Sequence, residues 1–234
     1  MRKLAVFVEG QTEAIFVEKL LEEVAGKNRL EIQRVRLHGK VRTVNLHATL
    51  NGIEQDYFVL VYDCEGHQNV KSDIRDNYNG LLGRGFEAII GMRDVYPEFT
   101  HGDIPRLRRS LAYALKTKPV EVKMILCIME IEAWFLAEHT HFTRIHSNLT
   151  LHRIATTFGF DPSQDDLELR PQPANDLDRI YHLVGFAYTK RRTNTERTVN
   201  ALDYERIYVE LRQESIDLNQ LLDCIDRFLS LTVN

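Results

Sequence analysis

A strand and the helix that follows it, at residues 4–25, decide the fold, and they read LAVFVEGQTEAIFVEKLLEEVA. The first five residues are all apolar and rich in β-formers, a pattern typical of a strand buried on both faces of a parallel sheet. Apolar residues then recur every four positions, at Phe16, Leu20 and Val24, which predicts a helix with one buried face. The segment therefore indicates an α/β protein built around a buried central strand.

Strand and helix patterns continue to alternate up to about residue 143. This order favours a mostly parallel central sheet flanked by helices. Beyond that point the periodicity is mainly helical, so we expect an α/β domain at 1–143 and a helical C-terminal extension at 144–234. The predicted strands are 4–8, 30–37, 57–62, 86–92 and 120–129, and the predicted helices are 12–25, a short one at 43–51, 72–82, 106–115 and 130–138.

The composition excludes several classes of protein. Hydrophobic residues make up 44% of the 234 residues, which is enough for a folded core and excludes a disordered chain. No apolar run reaches about 18 residues, so we expect no membrane span. The formal net charge of −4 gives no global attraction for nucleic acid. Any such contact must therefore come from local basic groups or from a bound cation.

The cysteines and the first residues favour a cytoplasmic protein. Cys64, Cys127 and Cys224 are far apart and form no C-x-x-C pair, so the sequence indicates neither a disulfide framework nor a structural zinc site. The apolar run at 4–8 is too short for the apolar region of a signal peptide. We therefore expect a reducing compartment.

Carboxylates follow the apolar strands of the first half. In an open parallel sheet, ligands gather outside the carboxyl ends of the strands, so acids from distant positions can meet there. Carboxylates in close contact repel each other unless a cation compensates, and Mg²⁺ prefers such oxygen ligands. Any one acid alone is more often a plain surface group. The acids at strand ends are Glu9, Asp63, Glu65, Asp94, Glu130 and Glu132.

The segment VEGQTE at residues 8–13, with the apolar pairs at 16–17 and 20–21, resembles the opening of Toprim-like proteins. It is most similar to a bacterial group that is often encoded beside ATPases in mobile or phage-defence loci. The Toprim superfamily includes topoisomerases, primases and overcoming-lysogenisation-defect nucleases. In these proteins a glutamate ends the first strand and an Asp-x-Asp motif ends a later one, and together they hold Mg²⁺ for phosphoryl transfer.

The resemblance implies a metal site at the first and third strands. Glu9 takes the place of the family's glutamate, as a metal ligand or general base. Asp63 and Glu65 take the place of the acidic pair, although this chain has Asp-x-Glu where the family has Asp-x-Asp. Asp94 is a competing candidate for the second acidic position.

Two later motifs add further candidates by the same resemblance, which covers residues 4–138 and touches 188–190. The Glu-x-Glu-Ala motif at 130–133 implies that Glu132 is a metal ligand or orients one. The Tyr-x-Lys element at 188–190 implies that Lys190 is a catalytic residue that meets a phosphate and stabilises its charge.

Basic residues suggest further contacts with phosphate. Lys40 follows His38 and Gly39 in a predicted loop, where it can bind a phosphate or belong to an ordinary solvated turn. The arginines of the predicted helix 106–115, and the run at 190–192, can follow a nucleic-acid backbone. Such charged runs are also common on solvated helix faces.

The resemblance implies an Mg²⁺-dependent nuclease, with Mn²⁺ as a second possible ion, that cleaves DNA or RNA as the effector of an ATPase-linked phage-defence system. The departure at Glu65 leaves room for an alternative, a non-catalytic partner subunit of an ATPase complex. A metal-dependent hydrolase of small phosphate esters is a third. The helical C-terminal part offers a surface for a homodimer or another partner, and it can equally pack on its own sheet.

Overall fold

The computed structural model describes residues 1–26, 29–38, 41–47, 56–66, 69–113, 115–116 and 118–230. Lys40, a predicted phosphate-binding residue, falls outside these ranges. The chain divides into two compact units, and the predicted boundary at residue 143 lies within the second of them. The first unit comprises Met1–Arg93, Arg106–Leu126 and the chain from Ile216 onward, and the second comprises Asp94–Pro105 and Cys127–Ser215.

A six-stranded sheet forms the centre of the first unit, in the order β3-β2-β4-β1-β5-β6. Five strands are parallel, and β3 pairs with β2 in the antiparallel direction at one edge. The central strand β1 is buried from Leu4 to Val8, as its continuous apolar run predicts. The predicted α/β fold with a mostly parallel sheet is therefore confirmed. The strands are β1 Arg2–Val8, β2 Leu30–His38, β3 Val41–His47, β4 Tyr57–Asp63, β5 Ala88–Asp94 and β6 Val122–Cys127.

The short helix predicted at 43–51 is wrong over the residues that the structure describes, because 43–47 belong to β3. Only two residues separate β2 from β3, a spacing that suits an antiparallel hairpin. Val41, Thr43 and Val44 are β-branched and favour a strand over a helix. The remaining positions, 48–51, lie outside the described residues.

Ten α-helices accompany the sheet within the described residues. The first begins after Gly10, whose backbone N–H donates to Glu13 Oε2 at 2.9 Å, and it ends at Gly26, which has a φ of 83°. The helices are α1 Gln11–Ala25, α2 Asn69–Gly83, α3 Ile104–Ala112, α4 Glu132–Ala137, α5 His141–Ile145, α6 Leu151–Phe158, α7 Pro173–His182, α8 Arg192–Ala201, α9 Tyr204–Val209 and α10 Ile216–Leu229. The predicted helical character of the C-terminal part is confirmed.

The first unit buries apolar side chains between the sheet and its helices. The rings of Phe7 and Tyr62 stack with their centroids 5.0 Å apart, in a core that also holds Ile74 of α2. A buried ion pair ties α1 to β2, since Arg34 Nε donates to Glu18 Oε1 at 2.6 Å. None of the helices in the described part of the chain has the length and apolar character that a bilayer crossing requires.

The second unit packs helices around a buried polar network. His141 is fully buried, with Nδ1 at 2.6 Å from the Glu138 carbonyl and Nε2 at 3.1 Å from the Tyr181 hydroxyl. The same hydroxyl lies 3.0 Å from Thr198 Oγ1 on α8. Burial lowers the pKa of His141 to about 4, so the ring is neutral at physiological pH.

Candidate metal centre

Three buried acids of the second unit converge. Asp94, Glu130 and Glu132 each offer one carboxylate oxygen, and these oxygens lie within 4.8 Å of one another. No other group of three or more potential metal ligands meets this criterion among the described residues. Together with Lys190, these residues are called the second-unit cluster below.

The chain presents these acids at the ends of two strands. Asp94 is the last residue of β5, Glu130 lies three residues beyond the end of β6, and Glu132 is the first residue of α4. The segment after β6 bends at Met129, which has a φ of 58°, a left-handed conformation that is uncommon outside glycine. Its carbonyl accepts a hydrogen bond from Tyr96 N at 2.8 Å, so this bend is held against the segment that follows β5.

One oxygen of each acid is held by a protein donor. The backbone N–H of Ile131 donates to Asp94 Oδ1 at 3.1 Å. The backbone N–H of Ala174, at the start of α7, donates to Glu130 Oε2 at 2.9 Å. The hydroxyl of Tyr188 donates to Glu132 Oε1 at 2.8 Å, and both side chains are buried. These bonds fix the orientation of the three carboxylates.

The second oxygen of each acid faces the ammonium group of Lys190. Its Nζ lies 3.6 Å from Asp94 Oδ2, 3.1 Å from Glu130 Oε1 and 3.3 Å from Glu132 Oε2. The Lys190 side chain is 44% exposed, so the cluster is reached from solvent along this lysine. Three carboxylates around one ammonium leave a net charge of −2 when all are ionised.

Glu132 is the least satisfied member of the cluster. Burial raises its pKa above the ordinary range for a glutamate, and the charge of Lys190 opposes that rise. Its Oε2 atom is buried and makes no hydrogen bond, because Lys190 Nζ is at ion-pair distance without hydrogen-bond geometry. A buried acceptor without a donor is costly and uncommon in folded proteins. A divalent cation at this point would satisfy that oxygen and offset the remaining negative charge.

The acids that were predicted at the ends of strands 4–8 and 57–62, which are β1 and β4 of the structure, lie in the first unit. Glu9, Asp63 and Glu65, called the first-unit acids below, follow adjacent strands. The backbone N–H of Gly66 donates to the Glu9 carbonyl at 2.9 Å. No three carboxylates of this set meet the criterion that the second-unit cluster meets. Their role as metal ligands stays a prediction.

The predicted acidic pair forms ion pairs with an arginine of β2. Arg36 lies opposite Asp63 in the register of β2 and β4, and its Nε is 2.8 Å from Glu65 Oε1 and 3.6 Å from Asp63 Oδ2. Asp63 is buried, and burial raises its pKa, while the Glu65 N–H and the Arg36 charge lower it. Glu65 is exposed and adopts a left-handed backbone with a φ of 52°.

The structure brings together four residues that were considered from the sequence: the strand-end acid Glu130, the competing candidate Asp94, and the two motif residues Glu132 and Lys190. It places Glu130, which the motif comparison had not singled out, among the potential ligands, and it adds Tyr188 as the residue that holds Glu132. The signal for both was present in the same motifs, since Glu130 is the first acid of the Glu-x-Glu-Ala motif and Tyr188 begins the Tyr-x-Lys element.

No protein-family model matches the chain, and a comparison with curated proteins finds none that is significantly similar to it in sequence. The likeness to Toprim proteins therefore depends on the short motifs at 8–13, 130–133 and 188–190, together with the parallel sheet that carries the first of them.

Proposed function

We propose that this protein is a hydrolase of phosphodiester bonds in DNA or RNA that depends on a divalent metal ion, held by Asp94, Glu130 and Glu132. The observation that carries the proposal is the convergence of three buried carboxylate oxygens on one point, where a single ammonium group now lies. Mg²⁺ and Mn²⁺ are the ions that suit an all-oxygen site of this kind.

The chemistry follows from what each residue offers. A bound divalent ion polarises a phosphodiester and lowers the pKa of a water molecule. The donors Ile131 N, Ala174 N and Tyr188 OH hold the carboxylates in place, so the site needs little reorganisation. Lys190 must yield its central position to the ion. Because its side chain is 44% exposed, it can move outward and place its charge beside a substrate phosphate.

A second candidate function follows from the position of Lys190. If the lysine remains at the centre of the cluster, the four residues form a structural ion network with no open ligand position. The protein would then be a non-catalytic subunit, for which the resemblance suggests an ATPase partner. The role in phage defence belongs to the proposal on the same ground of resemblance, and the cytoplasmic location belongs to it on the ground of the scattered cysteines.

The test compares two buried glutamates of the second unit. Glu132→Gln removes a proposed ligand, while Glu138→Gln makes the same change at an equally buried residue whose oxygens already accept from Thr140 and Asp203 N. We expect the wild type to cleave supercoiled plasmid or single-stranded RNA with Mg²⁺ or Mn²⁺ and to be inactive in EDTA. Cleavage by Glu132→Gln should fall at least about a hundredfold, since even residues behind the ligands cost 10–100-fold.

The same variants separate the two functions by metal binding. Mn²⁺ should raise the melting temperature of the wild type and of Glu138→Gln, but not that of Glu132→Gln. The hydrolase proposal is contradicted if Mn²⁺ stabilises none of the three and plasmid and RNA stay intact. Turnover of small phosphate esters without cleavage of nucleic acid would also contradict it.

A further inference from the structure

The outer surface of the first unit carries a group of basic side chains on two neighbouring helices. Lys71 of α2 donates from Nζ to the Ser110 carbonyl of α3, and its Nζ lies 6.0 Å from the centre of the Tyr113 ring. Arg75 follows Lys71 by one helical turn. Burial lowers the pKa of Lys71, and the positive charge of Arg75 lowers it further. The two helices therefore share one positively charged surface.

The arginines of α3 line up along the same surface. Arg106, Arg109 and Tyr113 are spaced at i, i+3 and i+7, which places them on one side of the helix and its C-terminal turn. All three are exposed. We call Lys71, Arg75, Arg106, Arg109 and Tyr113 the α2–α3 basic surface.

Part of this positive charge has no acidic partner. Among the described residues, the guanidinium groups of Arg75 and Arg109 form no ion pair or hydrogen bond, although both side chains are exposed. Many other arginines of the chain are paired, as Arg29 is with Asp56 at 2.7 Å and Arg192 with Glu196 at 2.7 Å. A chain with a net charge of −4 thus leaves two guanidinium groups uncompensated on one surface.

The two acids nearest to these cations on α2 are turned towards other parts of the unit. Asp73 is half-buried and lies beside Cys64. Asp76 follows Arg75, but it lies on the side of α2 that lines a separate cavity with Gln33 and Leu60. Lys71, in contrast, lies on the side of α2 that meets α3.

An exposed aromatic ring accompanies the charges. Tyr113 is 78% exposed, the highest value among the large hydrophobic side chains that the structure describes. Aromatic rings beside basic groups are the recurring feature of surfaces that bind single strands, because the ring stacks on a base while the cations follow the phosphates. A double helix offers no free base face to such a ring.

We propose that the α2–α3 basic surface binds a single-stranded nucleic acid, with Arg75 and Arg109 on backbone phosphates and Tyr113 stacked on a base. The proposal rests on the proposed function only in its choice of nucleic acid as the polyanion. It needs no metal ion and no cleavage.

The test is fluorescence anisotropy of the full chain in EDTA, with labelled single-stranded DNA and RNA about 20 nucleotides long and a duplex of equal length. The double variant Arg75→Ala/Arg109→Ala should bind the single strand about tenfold more weakly. The slope of log affinity against log salt should also become shallower by about 1.4, since each lost phosphate contact accounts for about 0.7. Tyr113→Ala should lose about tenfold in affinity with an unchanged salt slope.

The matched control is Arg84→Ala, which removes an exposed arginine at the end of the same helix but away from α3. It should bind as the wild type does. The inference is overturned if no single strand binds, if Arg84→Ala weakens binding as much as the double variant, or if Tyr113→Ala has no effect and the duplex binds equally well. Preference for vesicles of anionic lipid over the oligonucleotides would also overturn it.

A negative result for this surface can be distinguished from a negative result for the proposed function. Glu132→Gln should bind the single strand as the wild type does, because its substitution leaves the α2–α3 basic surface unchanged. Binding without metal-dependent cleavage would count against the hydrolase alone. Single-strand binding that is insensitive to Arg75, Arg109 and Tyr113, in a protein that cleaves with metal, would count against this surface alone.

Discussion

The first-unit acids and the second-unit cluster both place carboxylates at strand ends beside one basic residue, yet only the cluster has the geometry of a metal site. In the first unit, Arg36 approaches from solvent and its nearest partner, Glu65, is itself exposed. In the second unit, all three acids are buried around Lys190, and one oxygen makes no hydrogen bond. The difference shows that buried convergence, more than the number of acids, marks a candidate metal centre.

The kind of cation reinforces this contrast. The guanidinium of Arg36 is planar and donates along fixed directions, so it suits a lasting ion pair with a carboxylate. The ammonium of Lys190 is compact and lies at similar distances from three oxygens, as a metal ion would. A lysine of this kind can be displaced by a divalent ion, whereas the arginine pair has no comparable central point.

The largest effect that can separate the first-unit acids from the second-unit cluster is a loss of cleavage when Glu9 is changed. If Glu9 is the metal ligand or general base that the Toprim resemblance implies, Glu9→Gln should reduce Mg²⁺-dependent cleavage about a hundredfold, whereas a metal centre formed by the second-unit cluster alone predicts unchanged cleavage. The measurement is plasmid cleavage, with Glu31→Gln on β2 as the control for the same change at a half-buried glutamate. Full activity of Glu9→Gln would remove the first-unit acids from the reaction and leave the second-unit cluster alone.

A smaller effect is expected from removing the two cations. Lys190→Met removes the ammonium group that faces three buried carboxylates, so it should lower the free energy of unfolding in EDTA by about 2 kcal/mol, after allowance for its partial exposure. Mn²⁺ should then stabilise Lys190→Met more than the wild type, because no ammonium has to leave. Urea denaturation with and without Mn²⁺ measures both quantities.

The matched change in the first unit is Arg36→Met. It should cost less than about 1 kcal/mol, since the pair with Glu65 is exposed on both sides. Its stability should respond to Mn²⁺ as that of the wild type does. If Arg36→Met gains extra stabilisation from Mn²⁺ and Lys190→Met does not, the assignment of the metal centre to the second unit is wrong.

The sequence could predict the sheet because its buried strands are continuous apolar runs, as in β1 and β4. It could not predict β3, whose seven residues mix β-branched and polar side chains and depend on pairing with β2. Local pattern is a weak guide where pairing with a neighbouring strand decides the structure.

The candidate site could be predicted only in part. Motifs indicated Glu132 and Lys190. The position of Glu130, in contrast, depends on the bend at Met129, and the sequence gives no sign that this methionine adopts a left-handed backbone conformation. The contact of Arg36 with Asp63 depends on the register between β2 and β4. These features follow from tertiary packing, which a single sequence does not display.

The smallest effect that sharpens the comparison is the pH dependence of stability at Asp63. Burial raises the pKa of Asp63 above its ordinary value of 3.8, so the folded state holds this proton more tightly than the unfolded state does. Its contribution to stability is therefore greatest below pH 3.8 and declines as the pH rises from there through the folded-state pKa. Asp63→Asn should remove that decline, which urea denaturation across this pH range would measure.

A metal ligand at Asp63 would behave differently, because Mn²⁺ would stabilise the wild type more than Asp63→Asn. Equal stabilisation of both by Mn²⁺ would identify Asp63 as a buried partner of Arg36, and the metal-binding acids would then be those around Lys190.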